Sequence, residues 1–197
     1  MPLNIGVLAL QGDFQEHRAM LESLGAIVTE VRLPHQLEGL DGLVIPGGES
    51  TAIVKLANRW GIPDALRRFI DNGGAVWGTC AGMIVMAREL TEPEPEPFGL
   101  MDITVSRNWF GRQVDSFETE LSVKGVPGGP IHAVFIRAPS VREQGEDVQC
   151  IARLEDGTPV AVRSGKLMAT AFHPELTPDT RIHELFLRLS AGDLSSV

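Results

Sequence analysis

Ala75-Val-Trp-Gly-Thr-Cys-Ala-Gly-Met83 decides the fold. Gly73-Gly74 closes whatever precedes it, and Ala75-Val-Trp77 is an apolar run short enough for a buried strand. Gly78-Thr-Cys-Ala-Gly82 supplies small residues for a sharp turn, and residues 83–90 then read as a helix. A strand that bends through a glycine-flanked cysteine into a helix lifts the thiol above the carboxyl end of a sheet. A lone cysteine in such a setting could also be an inert packing residue. The strand, elbow and helix context favours a nucleophile, because a helix start stabilises a thiolate.

The same alternation extends in both directions. Ile5-Gly-Val-Leu-Ala-Leu10 is a continuous apolar run, the pattern of a strand covered on both faces. A helix is expected over 13–24, capped by Gly25, then strands over 26–31 and 42–45 and a helix over 51–60. Gly61 ends that helix, and Pro63 suits the first turn of the next. Strands alternating with helices indicate βαβ units, hence an α/β fold with a mostly parallel central sheet and helices on both faces.

The second half differs. Glu92-Pro-Glu-Pro-Glu-Pro97 cannot be helix or central strand and is expected as an exposed loop. Short strands are predicted at 103–105, 117–123, 134–136, 148–154, 160–162 and 168–172, with Asp156-Gly157 and Ser164-Gly165 as hairpin turns, so antiparallel strands are added toward the C-terminus. Ile182, Leu185, Phe186 and Leu189 mark an amphipathic helix over 180–189. No repeat or linker divides the chain, so 1–197 is expected to form one domain.

Composition narrows the function. The 197 residues carry 26 acidic and 17 basic side chains, a net charge of −9 that argues against nucleic acid as partner. At 43% hydrophobic and 22% charged the chain has the makeup of a globular protein. The apolar start is too short to span a bilayer and lacks the flanks of a signal peptide. The two cysteines, Cys80 and Cys150, form no disulfide framework and no zinc motif, which suits a reducing, cytoplasmic setting. No metal site and no cofactor are expected.

A cysteine nucleophile needs a base. His173 follows a strand-like run and precedes Pro174-Glu175. In extended backbone, residues two apart share a side, so Glu175 can reach the His173 imidazole and fix its tautomer. Cys80, His173 and Glu175 then supply nucleophile, base and orienter. His17, His35, His132 and His183 are expected at the surface or in helix packing, and Cys150 in the core. Pro46-Gly-Gly-Glu-Ser50 ends a parallel strand, where open α/β sheets bind ligands, and its glycines let backbone N–H groups approach an oxygen. Ser50 could equally be only the cap of the following helix.

With these residues in view, the chain resembles the class I glutamine amidotransferases: Gly78-Thr-Cys-Ala-Gly82 as nucleophile elbow and His173-Pro-Glu175 as the rest of a triad. Leu10-Gln-Gly12, Leu43 to Thr51, Arg107-Asn108, Phe110 to Glu118, Phe135-Ile-Arg-Ala-Pro139 and Thr170 to Thr177 are similar, more narrowly, to the glutaminase subunits of pyridoxal 5′-phosphate synthases. The resemblance spans nearly the whole chain and implies a flavodoxin-like three-layer sandwich. It implies hydrolysis of L-glutamine through a thioester, with ammonia passing to a separate synthase subunit in a hetero-oligomer. By matching position, Gly48, Glu49, Ser50, Arg107, Ile136 and Arg137 would hold glutamine, and the backbone N–H groups of Gly48 and Ala81 would form an oxyanion hole. An arginine can face the carboxylate of the zwitterionic substrate and an acid such as Glu49 its ammonium. Each arginine alone could instead be a surface ion pair. Two other readings stay open: a glutaminase serving a different acceptor, and a noncatalytic α/β module with an inert Cys80.

Overall fold

The structure, a computed structural model, describes residues 1–108 and 116–194. Strand β1 (Asn4–Leu8) runs through α1 (Phe14–Ser23) to β2 (Ile27–Val31), and after a 3-10 turn at Pro34–Leu37 the chain returns as β3 (Gly42–Ile45). Helices α2 (Ser50–Arg59) and α3 (Ile62–Asp71) lead to β4 (Ala75–Thr79), and α4 (Ala81–Met86) leaves it. There follow β5 (Ala87–Leu90), β6 (Met101–Ser106), β7 (Ser116–Leu121), β8 (Ile131–Ile136), β9 (Ser140–Gln144), β10 (Gln149–Arg153), β11 (Pro159–Ser164), β12 (Leu167–Thr170) and α5 (Arg181–Ser190).

The main sheet has seven strands in the order β10-β11-β12-β4-β3-β1-β2. From β12 to β2 every pairing is parallel, while β11 and β10 are added antiparallel at one edge. This is the expected mostly parallel sheet with antiparallel strands from the C-terminal half. Every residue of β3 and β4 is buried, as strands covered on two faces require.

Alternation along β4 locates the helices. Trp77 points to one face, where its ring meets His17 of α1 and His183 and Phe186 of α5. Gly78 points to the other, where a Cβ would lie 2.5 Å from the Gly82 backbone and 2.7 Å from the Met86 sulfur, both in α4. Helices α1 and α5 therefore cover one face and α4, with α2 packed on it, the opposite face. Two smaller pieces lie outside the main sheet: the mixed sheet β5-β6-β9 and the hairpin β7-β8. Each ends near the carboxyl edge of β4, through Arg107 after β6 and Ile136 at the end of β8.

The elements differ from expectation at two places. The helix predicted over 83–90 stops at Met86, and Ala87–Leu90 is strand β5. Ala87-Arg-Glu-Leu90 suits a helix by propensity, but residues 98–100 donate to the carbonyls of Val85, Ala87 and Met86, and β5 pairs with β6. Tertiary pairing overrides a weak local preference. Strand β9 was not anticipated, because Ser-Val-Arg-Glu-Gln is too polar to register as a strand; only Ser140 and Val141 are buried. Of the Phe110–Glu118 segment, residues 110–115 lie outside the described residues, and the rest opens β7.

Candidate active site

The elbow at Cys80 is held by sterics on both sides. Cys80 has φ 49° and ψ −105°, and besides Arg137 it is the only non-glycine among the described residues with positive φ. Such a backbone costs on the order of 1–3 kcal/mol and persists where the surroundings enforce it. Here Cys80 N–H donates to the Thr170 carbonyl (2.8 Å), and its carbonyl accepts from Met83 N–H (3.0 Å). The flanking glycines are required by contact: a Cβ on Gly82 would sit 2.0 Å from the Ile45 carbonyl oxygen. The Gly-x-Cys-x-Gly spacing thus lets β4, α4 and β3 close on one another beneath the sulfur.

Cys80 opens into a pocket of about 360 Å³ at the carboxyl ends of β3 and β4. Its wall includes Gly48, Glu49, Ser50, Ala81, Arg107, Ile136, Arg137 and His173, so the structure gathers every predicted site residue except Glu175, which lies buried behind His173. Asp13, Ile84 and Asn108 also line it. A larger cavity of about 620 Å³, between Pro34–Leu40 and the Arg68–Gly74 end of α3, sits at the opposite, amino-terminal end of the strands and contains no cysteine. Size alone would have pointed to the wrong end of the sheet.

His173 Nδ1 and Glu175 Oε1 are 2.6 Å apart and buried. The pair forms as expected, although the backbone after His173 is a 3-10 turn at Pro174–Leu176 rather than extended. His173 N–H donates to the Val134 carbonyl of β8 (2.8 Å), which fixes the backbone under the ring. Burial opposes a charged imidazole, but the nearby Cys80 sulfur and the hydrogen-bonded Glu175 carboxylate outweigh it and carry the His173 pKa up to about 10; His173 Nε2 itself has no hydrogen-bond partner. A protonated imidazole beside the sulfur would favour a thiolate over a thiol during attack. The Cys80 sulfur also lies 3.7 Å from the Ile136 carbonyl. Asp13 reaches within 3.8 Å of His173 Nδ1, and burial raises its carboxyl pKa against the lowering effect of His173. Asp13, His173 and Glu175 form the only cluster of potential metal ligands among the described residues. Its shortest contact is the histidine–carboxylate hydrogen bond, which suits proton handling.

The strand β3 loop brings a correction. Ser50 does not cap α2: it is the first helical residue and is buried, while Glu49 caps the helix, accepting from Thr51 N–H (3.1 Å) and Ala52 N–H (2.8 Å) and from the Thr51 hydroxyl. Burial acts against the Glu49 carboxylate, yet these bonds and Arg107 hold its pKa below the usual value. Gly12 and Gly48 let two loops touch: a Cβ on Gly12 would fall 1.8 Å from the Gly47 carbonyl oxygen, and one on Gly48 2.4 Å from Gln11 Oε1. Gln11 Oε1 accepts from Glu49 N–H (2.7 Å), and Gly47 O from Asp13 N–H (3.1 Å).

The Glu-Pro segment is the expected loop, with Thr91, Pro93, Glu94 and Glu96 exposed, and it also makes specific contacts to the site. Glu92 accepts from Arg107 N–H with both carboxylate oxygens (3.0 and 3.1 Å) and from the Ser106 hydroxyl (3.2 Å). Arg107 Nη1 donates to the Glu94 carbonyl (2.7 Å), and Nη2 stands 3.6 Å from Glu49 Oε1. The loop therefore holds Arg107 at the pocket rim.

Among the other histidines, His35 is exposed and His132 bridges Glu118 and Glu120 at the surface. His17 and His183 are wholly buried and hydrogen-bonded to each other at 2.9 Å. Helix packing describes them, but His17 Nε2 also lies 3.3 Å from Glu175 Oε2. The contact escaped sequence reading because nothing in the spacing of 17 and 175 links them. Cys150 is half-buried rather than core, its sulfur 3.3 Å from the Ala152 carbonyl.

A strained elbow cysteine, a buried histidine–carboxylate pair and glycine-rich backbone at the carboxyl edge of a parallel sheet define the class of thiol-dependent amide hydrolases built on an α/β sheet. Sequence comparison specifies which: the chain belongs to the SNO glutamine amidotransferase family, whose model matches residues 7–191. It is 55% identical over 190 residues to the pyridoxal 5′-phosphate synthase subunit PdxT of Herpetosiphon aurantiacus, covering 95% of this chain and 100% of that one. With the subunit of the same name from Thermus thermophilus the identity is 54% over 188 residues, covering 94% and 97%. A crystal structure of a glutamine amidotransferase superposes with a TM-score of 0.90 at 51% identity, covering 95% of this chain and 98% of the other. The structure of PurLQS from Thermotoga maritima matches at a TM-score of 0.69 and 17% identity, a likeness of fold alone.

Proposed function

We propose that this chain hydrolyses L-glutamine to L-glutamate and ammonia, and that it hands the ammonia to the synthase subunit of a pyridoxal 5′-phosphate synthase in the cytoplasm. The observation that carries the reaction is the buried 2.6 Å pair of His173 and Glu175 beside the strained Cys80. Near-full-length similarity to PdxT subunits supports the acceptor.

In the first half-reaction the Cys80 thiolate attacks the side-chain amide carbon, and the carbonyl electron pair moves to oxygen. Backbone N–H groups of Gly48 and Ala81 receive that oxyanion; one such donor commonly contributes about 10²–10³ in rate. As the tetrahedral adduct collapses, His173 Nε2–H protonates the departing nitrogen, and the C–N bond breaks to give ammonia and a thioester. In the second half neutral His173 removes a proton from water, hydroxide adds to the thioester, and the C–S bond breaks to release glutamate and the thiolate. Glu175 holds His173 in the Nδ1–H tautomer throughout. Arg107 and Arg137 face the substrate carboxylate, Glu49 its ammonium, and Ser50 and Ile136 complete the wall.

Ammonia release should vanish in a folded Cys80→Ala protein, assayed alone and mixed with a pyridoxal phosphate synthase subunit. Undiminished release would refute the reading. Failure of the mixture to form pyridoxal 5′-phosphate from glutamine would refute the acceptor but leave the hydrolysis standing.

A further inference from the structure

Behind the candidate triad lies a second row of buried polar groups that the mechanism above does not use. Glu175 spends Oε1 on His173, while its other oxygen, Oε2, is buried and makes no close hydrogen bond of its own. His17 Nε2, from α1, stands 3.3 Å from Oε2 and 3.1 Å from the Thr79 hydroxyl, and His17 Nδ1 is 2.9 Å from His183 Nε2 on α5. His17 and His183 are both 0% exposed, and the Trp77 ring closes the space against them.

The protonation states follow from burial and charge. His17 is pushed well below the usual imidazole range by burial first and then by His183 and His173, and burial alone takes His183 down to about 3, so both rings are neutral. A neutral imidazole carries one proton. A lone pair at His17 Nε2 would face an ionised oxygen, whereas a proton there is attracted to it. Placing it on Nε2 leaves Nδ1 as the acceptor for His183 Nε2–H. His183 Nδ1, which has no partner, is then the unprotonated nitrogen, so no buried N–H is stranded. The ionisable groups facing His17 are His183 from α5 and Glu175 and His173 from the segment after β12; Asp13, at the start of α1, faces His173 instead.

We propose that His17 is a positioning residue of this centre: fixed in its Nε2–H tautomer by His183, it holds that proton between the Thr79 hydroxyl and Glu175 Oε2, where its positive end faces the carboxylate and keeps it turned toward His173. This rests on the glutaminase reading, and its reach is a five-residue chain from α5 to the sulfur. Outer groups that orient a histidine–carboxylate system commonly influence activity by about 10–100-fold.

The experiment compares His17→Leu and His17→Gln, whose amide nitrogen can replace Nε2–H, each assayed with the synthase subunit over pH 5–9. His17→Leu should lose about 10–100-fold in kcat with KM for glutamine little changed. The acid limb of its kcat profile should move up by about one pH unit, because the coupled centre loses a nearby proton donor that favours its charged form. His17→Gln should recover most of both. A folded His17→Leu with wild-type kcat and acid limb would overturn the proposal. So would equal losses in both variants with an unmoved acid limb, which would mean packing alone. If His17→Leu does not fold, nitrogen-15 spectra of the wild-type histidines decide: His17 should stay neutral and Nε2-protonated from pH 5 to 8, and an Nδ1–H tautomer would overturn the proposal. Cys80→Ala, run alongside, separates this outcome from failure of the glutaminase reading: inactive Cys80→Ala with fully active His17→Leu would sink only the role of His17.

Discussion

The two walls of the pocket are built by different means. The inner wall, formed by Cys80, His173, Glu175 and His17, is buried: Cys80 follows β4, His17 sits on α1, and His173 and Glu175 lie at the 3-10 turn after β12. The outer wall, formed by Glu49, Arg107, Ile136 and Arg137, is partly exposed and consists of loop residues or strand ends. The inner contacts are short and shielded, so charge placed there is strongly felt. The outer contacts are solvated, and their strength is screened. On the proposed function chemistry would belong to the inner wall and recognition to the outer, and the two should separate as kcat and KM effects.

The largest effect should come from the inner wall. Glu175→Gln keeps the shape but replaces the acceptor of His173 Nδ1–H with a neutral amide, and kcat should drop by about three to four orders of magnitude. Thioester formation measured in a single turnover checks this; a loss under tenfold would break the division of the walls. Gly82→Ala attacks the inner wall through its backbone. The added methyl group meets the Ile45 carbonyl at 2.0 Å, in a place where neither strand nor helix can yield. Overpacking of this kind costs about 1–3 kcal/mol, so Tm should fall by roughly 2–10 °C together with activity. A variant of unchanged Tm would show that the elbow is looser than its contacts imply.

Arg107→Ala probes the outer wall. If Arg107 meets the substrate carboxylate as proposed, its removal should raise KM for glutamine by about 10–100-fold while kcat changes by less. Arg107→Lys should recover only part of it, since an ammonium lacks the planar fork. Equal losses in kcat and KM would place Arg107 with the chemistry and erase the contrast.

How much of this was legible in the sequence follows the same division. The inner wall was readable because its signals are local: a glycine-flanked cysteine between strand and helix, and a histidine two residues from a glutamate. The parallel sheet was readable from uninterrupted apolar runs such as Gly42–Ile45, all buried. What escaped is non-local. Strand β5 exists because residues 98–100 and β6 claim the backbone of Ala87–Leu90, which its own side chains do not specify. His17 and Glu175 are 158 positions apart, and only the packing of α1 beside the turn after β12 makes them neighbours. Glu92 was hidden by its prolines, which announce a loop but not what the loop holds.

Glu92 supplies the smallest and most discriminating test. Its carboxylate does not touch the pocket; it accepts from the Arg107 backbone at 3.0 and 3.1 Å and so sets where the guanidinium starts. Glu92→Ala should leave kcat unchanged and raise KM about two- to fivefold, well below the effect of removing Arg107 itself, since a lost positioning bond weakens a contact without deleting it. Burial works against the Glu92 carboxylate, but the bonds from Arg107, Thr91 and Ser106 outweigh it and hold its pKa below the usual value. A depressed carboxylate pKa means the tether is complete above the unfolded value of about 4.3 and is lost only as pH falls through the lower folded value. KM of the wild type should therefore carry no Glu92 titration between pH 5 and 8, and the ratio of variant to wild-type KM should stay flat across that range. A ratio that changes with pH there would mean that the tether titrates within the working range, and that the outer wall is less firmly set than its hydrogen bonds indicate.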